Sequence, residues 1–120
     1  MAYAAYVLTD TCRLRLMQIY PPEYSVVRAH HVTVKFGVPL DIPAPKPAKI
    51  EVVGYAADDG LEALVVTIDA QLKREDGGVY HITWSHKEDR KPVESNALLS
   101  THKWSPSGPY GVETYSAVLR

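Results

Sequence analysis

Two stretches decide the fold: His31-Val32-Thr33-Val34 and His81-Ile82-Thr83-Trp84, fifty positions apart. Each reads His-apolar-Thr-apolar. In a β-strand, side chains at i and i+2 share one face and the residue between them takes the other. His31 and Thr33 therefore point one way, and Val32 and Val34 the other. His81 and Thr83 repeat the pattern against Ile82 and Trp84. Such alternation predicts strands with one buried and one polar face. Two of them side by side would turn two imidazoles and two hydroxyls into one groove.

Working outward, Ser25 to Phe36 reads as the strand carrying the first motif, and Val79 to Ser85 as that carrying the second. Before the first motif, Tyr3 to Thr9 reads as a strand. Asp10 or Thr11 then caps a short helix that turns Leu14, Leu16 and Met17 inward and stops at Pro21-Pro22. Between the motifs, the proline-rich Gly37 to Pro47 reads as an ordered loop. Lys49 to Ala57 and Leu61 to Ala70 form a hairpin turned by Asp58-Asp59-Gly60. Asp76-Gly77-Gly78 makes a further turn. After the second motif come a short helix over Pro92 to Ser100, an irregular stretch from Thr101 to Gly111, and a closing strand from Glu113 to Leu119. The pattern is α+β, mainly antiparallel strands with a few short helices, in one domain spanning 1–120.

The formal net charge of −1 sets up no global field toward a long nucleic-acid duplex or an anionic membrane. A small or short phosphate-bearing ligand suits it better. No apolar run is long enough to span a bilayer. Met1 to Leu8 has no basic leader and soon meets Asp10 and Arg13, so it reads as a strand, not a signal peptide. The single cysteine, Cys12, excludes an internal disulfide and fits a reducing, cytoplasmic setting. It reads as a buried, inert thiol.

Cleaving a phosphodiester takes a base to activate water and an acid to protonate the leaving oxygen. Histidine suits both roles near neutral pH. His31 and His81 are the candidate catalytic pair. Thr33 and Thr83, one step along the same face, are candidate phosphate ligands, since preplaced donors stabilise charge that grows in the transition state. Possible substrate contacts are Lys35, which falls on the His31 face if the strand continues, Tyr6 on the first strand, and Trp104 as a base-stacking lid. Ser85 occupies the place after Thr83. His30 and His86 alternate away from the motif histidines, and His102 lies in a loop. Ser95 and Asn96 either touch ligand or cap a helix. Glu113 either orients a histidine or is a polar strand residue. The histidines form no HExxH or Cys/His pattern, so neither a metal nor another cofactor is expected.

His31-Val32-Thr33 and His81-Ile82-Thr83, with strand and helix before the first motif and strands between the two, resemble the 2H phosphoesterase superfamily, the LigT-like cyclic phosphodiesterases. That family is defined by two His-x-Thr/Ser motifs. The resemblance implies a bilobal, pseudo-symmetric α+β fold around a central cleft. It also implies metal-independent opening of a cyclic phosphate or cleavage of a 2′-linked phosphodiester. The expected substrates are RNA ends bearing a 2′,3′-cyclic phosphate, cyclic nucleotide signals or oligoadenylates, so the expected partner is a small nucleotide or a short RNA end. The chain is short for the family, which argues for a minimal cleft and against long RNA. Two other classes fit the same residues: a catalytically idle nucleotide-binding regulatory module, and a plain α+β domain in which His31 and His81 lie far apart.

Overall fold

The computed structural model describes residues 2–101 and 104–120. The elements are β1 (Ala2–Leu8), α1 (Asp10–Ile19), β2 (Val26–Val27), β3 (His31–Val38) and β4 (Ile50–Ala57), then β5 (Leu61–Ile68), β6 (His81–His86), α2 (Glu94–Thr101), β7 (Ser105–Val112) and β8 (Thr114–Leu119). The class is α+β, mostly strand, as the alternation predicts. A three-stranded sheet has the order β3-β1-β8 and a five-stranded sheet the order β2-β6-β5-β4-β7. The paired strands run antiparallel.

Local chemistry sets the element ends. The cap of α1 is Thr9, not Asp10 or Thr11: its backbone is extended and its hydroxyl accepts from Cys12 N. Pro21 closes the helix by disfavouring helical backbone at Tyr20. Cys12 and Leu16, four apart on one face, are the buried positions of α1, whereas Leu14 is 61% exposed, contrary to the sequence expectation. The β4–β5 hairpin turns at Asp58-Asp59-Gly60, with Asp58 Oδ1 accepting from Gly60 N at 3.0 Å. Ser105 to Gly111, expected to be irregular, belongs to β7 and pairs with β4 on either side of a register shift at residues 107–109. Its Pro-Ser-Gly-Pro composition hides a strand because an edge strand tolerates proline where a central one does not.

Two apolar clusters hold the layers together. The first joins α1 and the three-stranded sheet to one face of the five-stranded sheet, through Leu16, Tyr6 and Val32 against Leu64, Ile82 and Trp84. The second lies on the opposite face, where Leu98 and Leu99 of α2 meet Ala56, Leu61 and Val65. β5 is buried on both faces, which accounts for its nearly continuous apolar run Leu61-Glu62-Ala63-Leu64-Val65-Val66. The exception, Glu62, is 1% exposed. Its carboxylate accepts from Glu23 N, Tyr55 OH and Ser85 Oγ, tying the Pro21–Ser25 segment to the sheet. The helices of the described residues are too short to cross a membrane.

Candidate active site

The pleat of β3 is set by its pairing with β1. Ala5 sits opposite Thr33, but Ala4 sits opposite Lys35, so Val34 is an extra residue in β3. A bulge of this kind reverses the alternation beyond it. His31 and Thr33 share one face with Val7 and Ala5. After the bulge it is Phe36, opposite Tyr3, that returns to this face, and Lys35 turns away. A second irregularity falls at Gly37, whose φ of 67° suits glycine and few other residues.

β3 and β6 belong to different sheets, yet the chain clamps their motifs together. The expected continuous strand from Ser25 to Phe36 breaks at Arg28–His30. There Arg28 N donates to Trp84 O at 2.9 Å and Ala29 N to Thr83 O at 3.0 Å. The first motif thus begins within two residues of a backbone bond to the second. Between the two sheets opens a cavity of about 510 Å³, a size suited to a small ligand. His31, Thr33, His81 and Thr83 all line it. The four residues that the alternation singled out therefore line one space.

The two imidazoles differ in their partners. His81 Nδ1 lies 2.8 Å from Val79 O. A carbonyl only accepts, so His81 Nδ1 carries a proton and Nε2 is the ring's free nitrogen. Burial lowers the proton affinity of His81; the Val79 carbonyl opposes this, and the cation of Arg74 adds to it. His31 is pushed down to about 4, first by burial and then by His30 and His81. The His31 ring lies between Tyr3, with centroids 5.2 Å apart, and His30, also at 5.2 Å and edge-on. Thr33 is 8% exposed. Thr83 Oγ1 donates to Pro92 O at 3.3 Å and lies 2.8 Å from Ser95 Oγ, from which it then accepts, so the start of α2 fixes its rotamer.

Three expected substrate contacts lie elsewhere. Tyr6 is on the opposite face of β1, 5% exposed in the first cluster, with its hydroxyl donating to Lys46 O. Lys35, displaced by the bulge, stands at the surface 3.8 Å from Glu75. Trp104 is no lid over this cavity: it packs on the second cluster, against Gly54, where a Cβ would collide with its ring. Ser85 is buried on Glu62 because Trp84 bulges out of register with β5. Glu113 faces Arg15 at 3.6 Å. His102 lies outside the described residues.

The structure adds residues that the sequence reading passed over. Arg28 lines the cavity, with its Nε donating to the Nε2 of buried His86 at 3.1 Å, and so does His30, contrary to the expectation that it alternates away from His31. Tyr3 and Phe36 form an aromatic wall, with rings 6.3 Å apart. Behind it lies Arg74, its side chain 5% exposed. Its guanidinium carbon is 5.1 Å from the Phe36 centroid, and Nη2 donates to Asn96 Oδ1. Nη1 of Arg74 is the one buried side-chain polar atom without a partner among the described residues. In the sequence, Arg74 beside Glu75-Asp76-Gly77-Gly78 reads only as a solvated turn.

The Arg28 guanidinium brings positive charge to the cavity, and none of its described lining residues is a carboxylate. Such a space favours an anion. Among the described residues, no three His, Cys, Asp or Glu side chains come together as a metal site would need. No family model, curated protein or solved structure matches the chain. The resemblance to 2H phosphoesterases thus rests on the two sequence motifs alone.

Proposed function

We propose that the chain is a metal-independent phosphodiesterase of the 2H type, acting on a cyclic or 2′-linked nucleotide phosphate. The observation that carries this reading is the convergence of both His-x-Thr motifs on one anion-favouring cavity. In this reading the two sheets stand for the two lobes and the cavity for the cleft. One histidine takes a proton from the attacking water while the other gives one to the leaving oxygen. Thr33 and Thr83 hold the non-bridging oxygens, Thr83 by turning its one hydroxyl proton from Pro92 O to the phosphate, and Arg28 adds positive charge. Tyr3 and Phe36 offer flat apolar surface to a nucleobase. A bound phosphate dianion or monoanion would raise the proton affinity of both histidines, supplying the protonated partner that the empty pair disfavours.

That last point also gives the second reading its support. Burial pushes both His31 and His81 toward the neutral form, and a pair with no proton to give binds without cleaving. The same cavity would then serve a catalytically idle nucleotide-binding module. Incubation with 2′,3′-cyclic nucleotides, cyclic dinucleotides and 2′-5′ oligoadenylates, followed by ³¹P NMR, separates the two. Conversion of at least one compound to an open monoester in the presence of EDTA supports the enzyme. Saturable binding with every phosphorus resonance unchanged in identity supports the idle module.

A further inference from the structure

We propose that His30 is a positioning residue: its ring accepts a hydrogen bond from His31 Nδ1–H and so holds His31 in the tautomer whose Nε2 is unprotonated. The inference rests on the reading of His31 as half of an acid–base pair. Alternation along a strand would send His30 away from His31, but β3 begins only at His31. The preceding Ala29 has φ 45°, a left-handed conformation that costs an alanine on the order of 1 kcal/mol. Bonds on every side maintain it: Ala29 N to Thr83 O, Arg13 Nε to Ala29 O at 2.9 Å, and Leu8 N to His30 O at 2.9 Å. This kinked turn brings His30 Nδ1 to 3.0 Å from His31 Nδ1.

Two like nitrogens at that distance share one proton, so one ring donates and the other accepts. If His30 donated, a neutral His31 would keep its proton on Nε2. That nitrogen could then neither accept a proton from water nor, being neutral, give one up readily. If His31 donates, Nε2 carries the lone pair that a base needs. On protonation Nε2 becomes an acid while Nδ1 keeps its bond. Val79 O does the same for His81, accepting from Nδ1 and leaving Nε2 free. The two histidines would thus be presented alike, one by a backbone carbonyl and the other by a neighbouring imidazole.

The test compares the chain with His30→Ala and His30→Asn; the asparagine carbonyl restores an acceptor near the lost Nδ1. His30 is exposed, so neither change opens the core. Long-range ¹H–¹⁵N spectra, assigned with His31→Gln, read the tautomer directly. The wild type should show His31 protonated on Nδ1, the alanine variant should gain the Nε2–H form, and asparagine should restore the original. Turnover should fall about tenfold in kcat with little change in KM for alanine, the scale seen when a histidine loses its orienting partner, and recover with asparagine. A wild-type His31 protonated on Nε2, or a tautomer unmoved by His30→Ala, overturns the proposal. Absence of turnover in the wild type would defeat the proposed function, while the spectra would still decide the role of His30.

Discussion

Burying His31 as a neutral ring makes the fold sensitive to acid, and His31→Gln should remove that part of the sensitivity. The ring binds its proton near 6.5 when free, whereas in the folded chain burial, His30 and His81 push it down to about 4. Between those values the unfolded chain holds a proton that the folded chain refuses. Stability is therefore unaffected above about pH 6.5 and declines as pH falls toward about 4. At about 1.36 kcal/mol per pH unit the gap amounts to about 3 kcal/mol. Solvent reaching the cavity side of the ring reduces this to about 2 kcal/mol. His81, pushed down by burial, Asp58, held low by Arg90, and Asp76, held low by Gly78 N–H and Arg74, also weaken the fold on acidification. They do so in both proteins, so the difference between them isolates His31. Urea unfolding at pH 7.5 and pH 4 gives the four free energies. The wild type should lose about 2 kcal/mol more than His31→Gln. Equal losses would refute a buried neutral His31.

The remaining predictions concern the cavity. Thr33→Val should lower kcat more than it weakens nucleotide binding, since a donor to the phosphate matters most in the transition state; Thr83→Val should do the same and also loosen α2 through the lost Ser95 bond, read as a drop in melting temperature. Phe36→Ala should raise KM for purine substrates with kcat nearly constant, by an amount near the ~1–3 kcal/mol of a base–aromatic stack, and no change would remove the aromatic wall from the binding site. The kcat/KM profile should be a bell centred on the acid side of neutrality, because burial depresses both histidines, and should persist in EDTA; a rate that climbs steadily with pH and needs a divalent ion would reject the mechanism.

The two motifs were legible because period-two alternation survives in any strand with one buried face, and Val32, Ile82 and Trp84 are all buried as it requires. What alternation cannot carry is an interruption imposed by a partner strand. The bulge at Val34 exists only in the pairing with β1, and it exchanges Lys35 for Phe36 at the cavity. The kink at Ala29 likewise depends on carbonyls of β6, fifty-odd positions away, so Arg28 and His30 read as ordinary strand residues. Arg74 was hidden in a charged turn because nothing in its neighbours forecasts burial under Phe36. Tyr6, read on the first strand, and Trp104, read as a base-stacking lid in a loop, each have a core to fill instead. Charge, cysteine count and the alternating pattern speak of class and chemistry; the choice of which side chain reaches the cavity is made by tertiary pairing.

The central claim is that His31 and His81 act as one acid–base unit, and the most direct measurement is the rate of cyclic-phosphate opening by His31→Ala, His81→Ala and the double variant, with circular dichroism confirming the fold. Each single variant should lose about 10²–10⁴-fold in kcat. The double variant should lose far less than the product of the two, because a pair acting together fails as a unit. Near-wild-type turnover in either single variant, or losses that multiply in the double, would contradict the account.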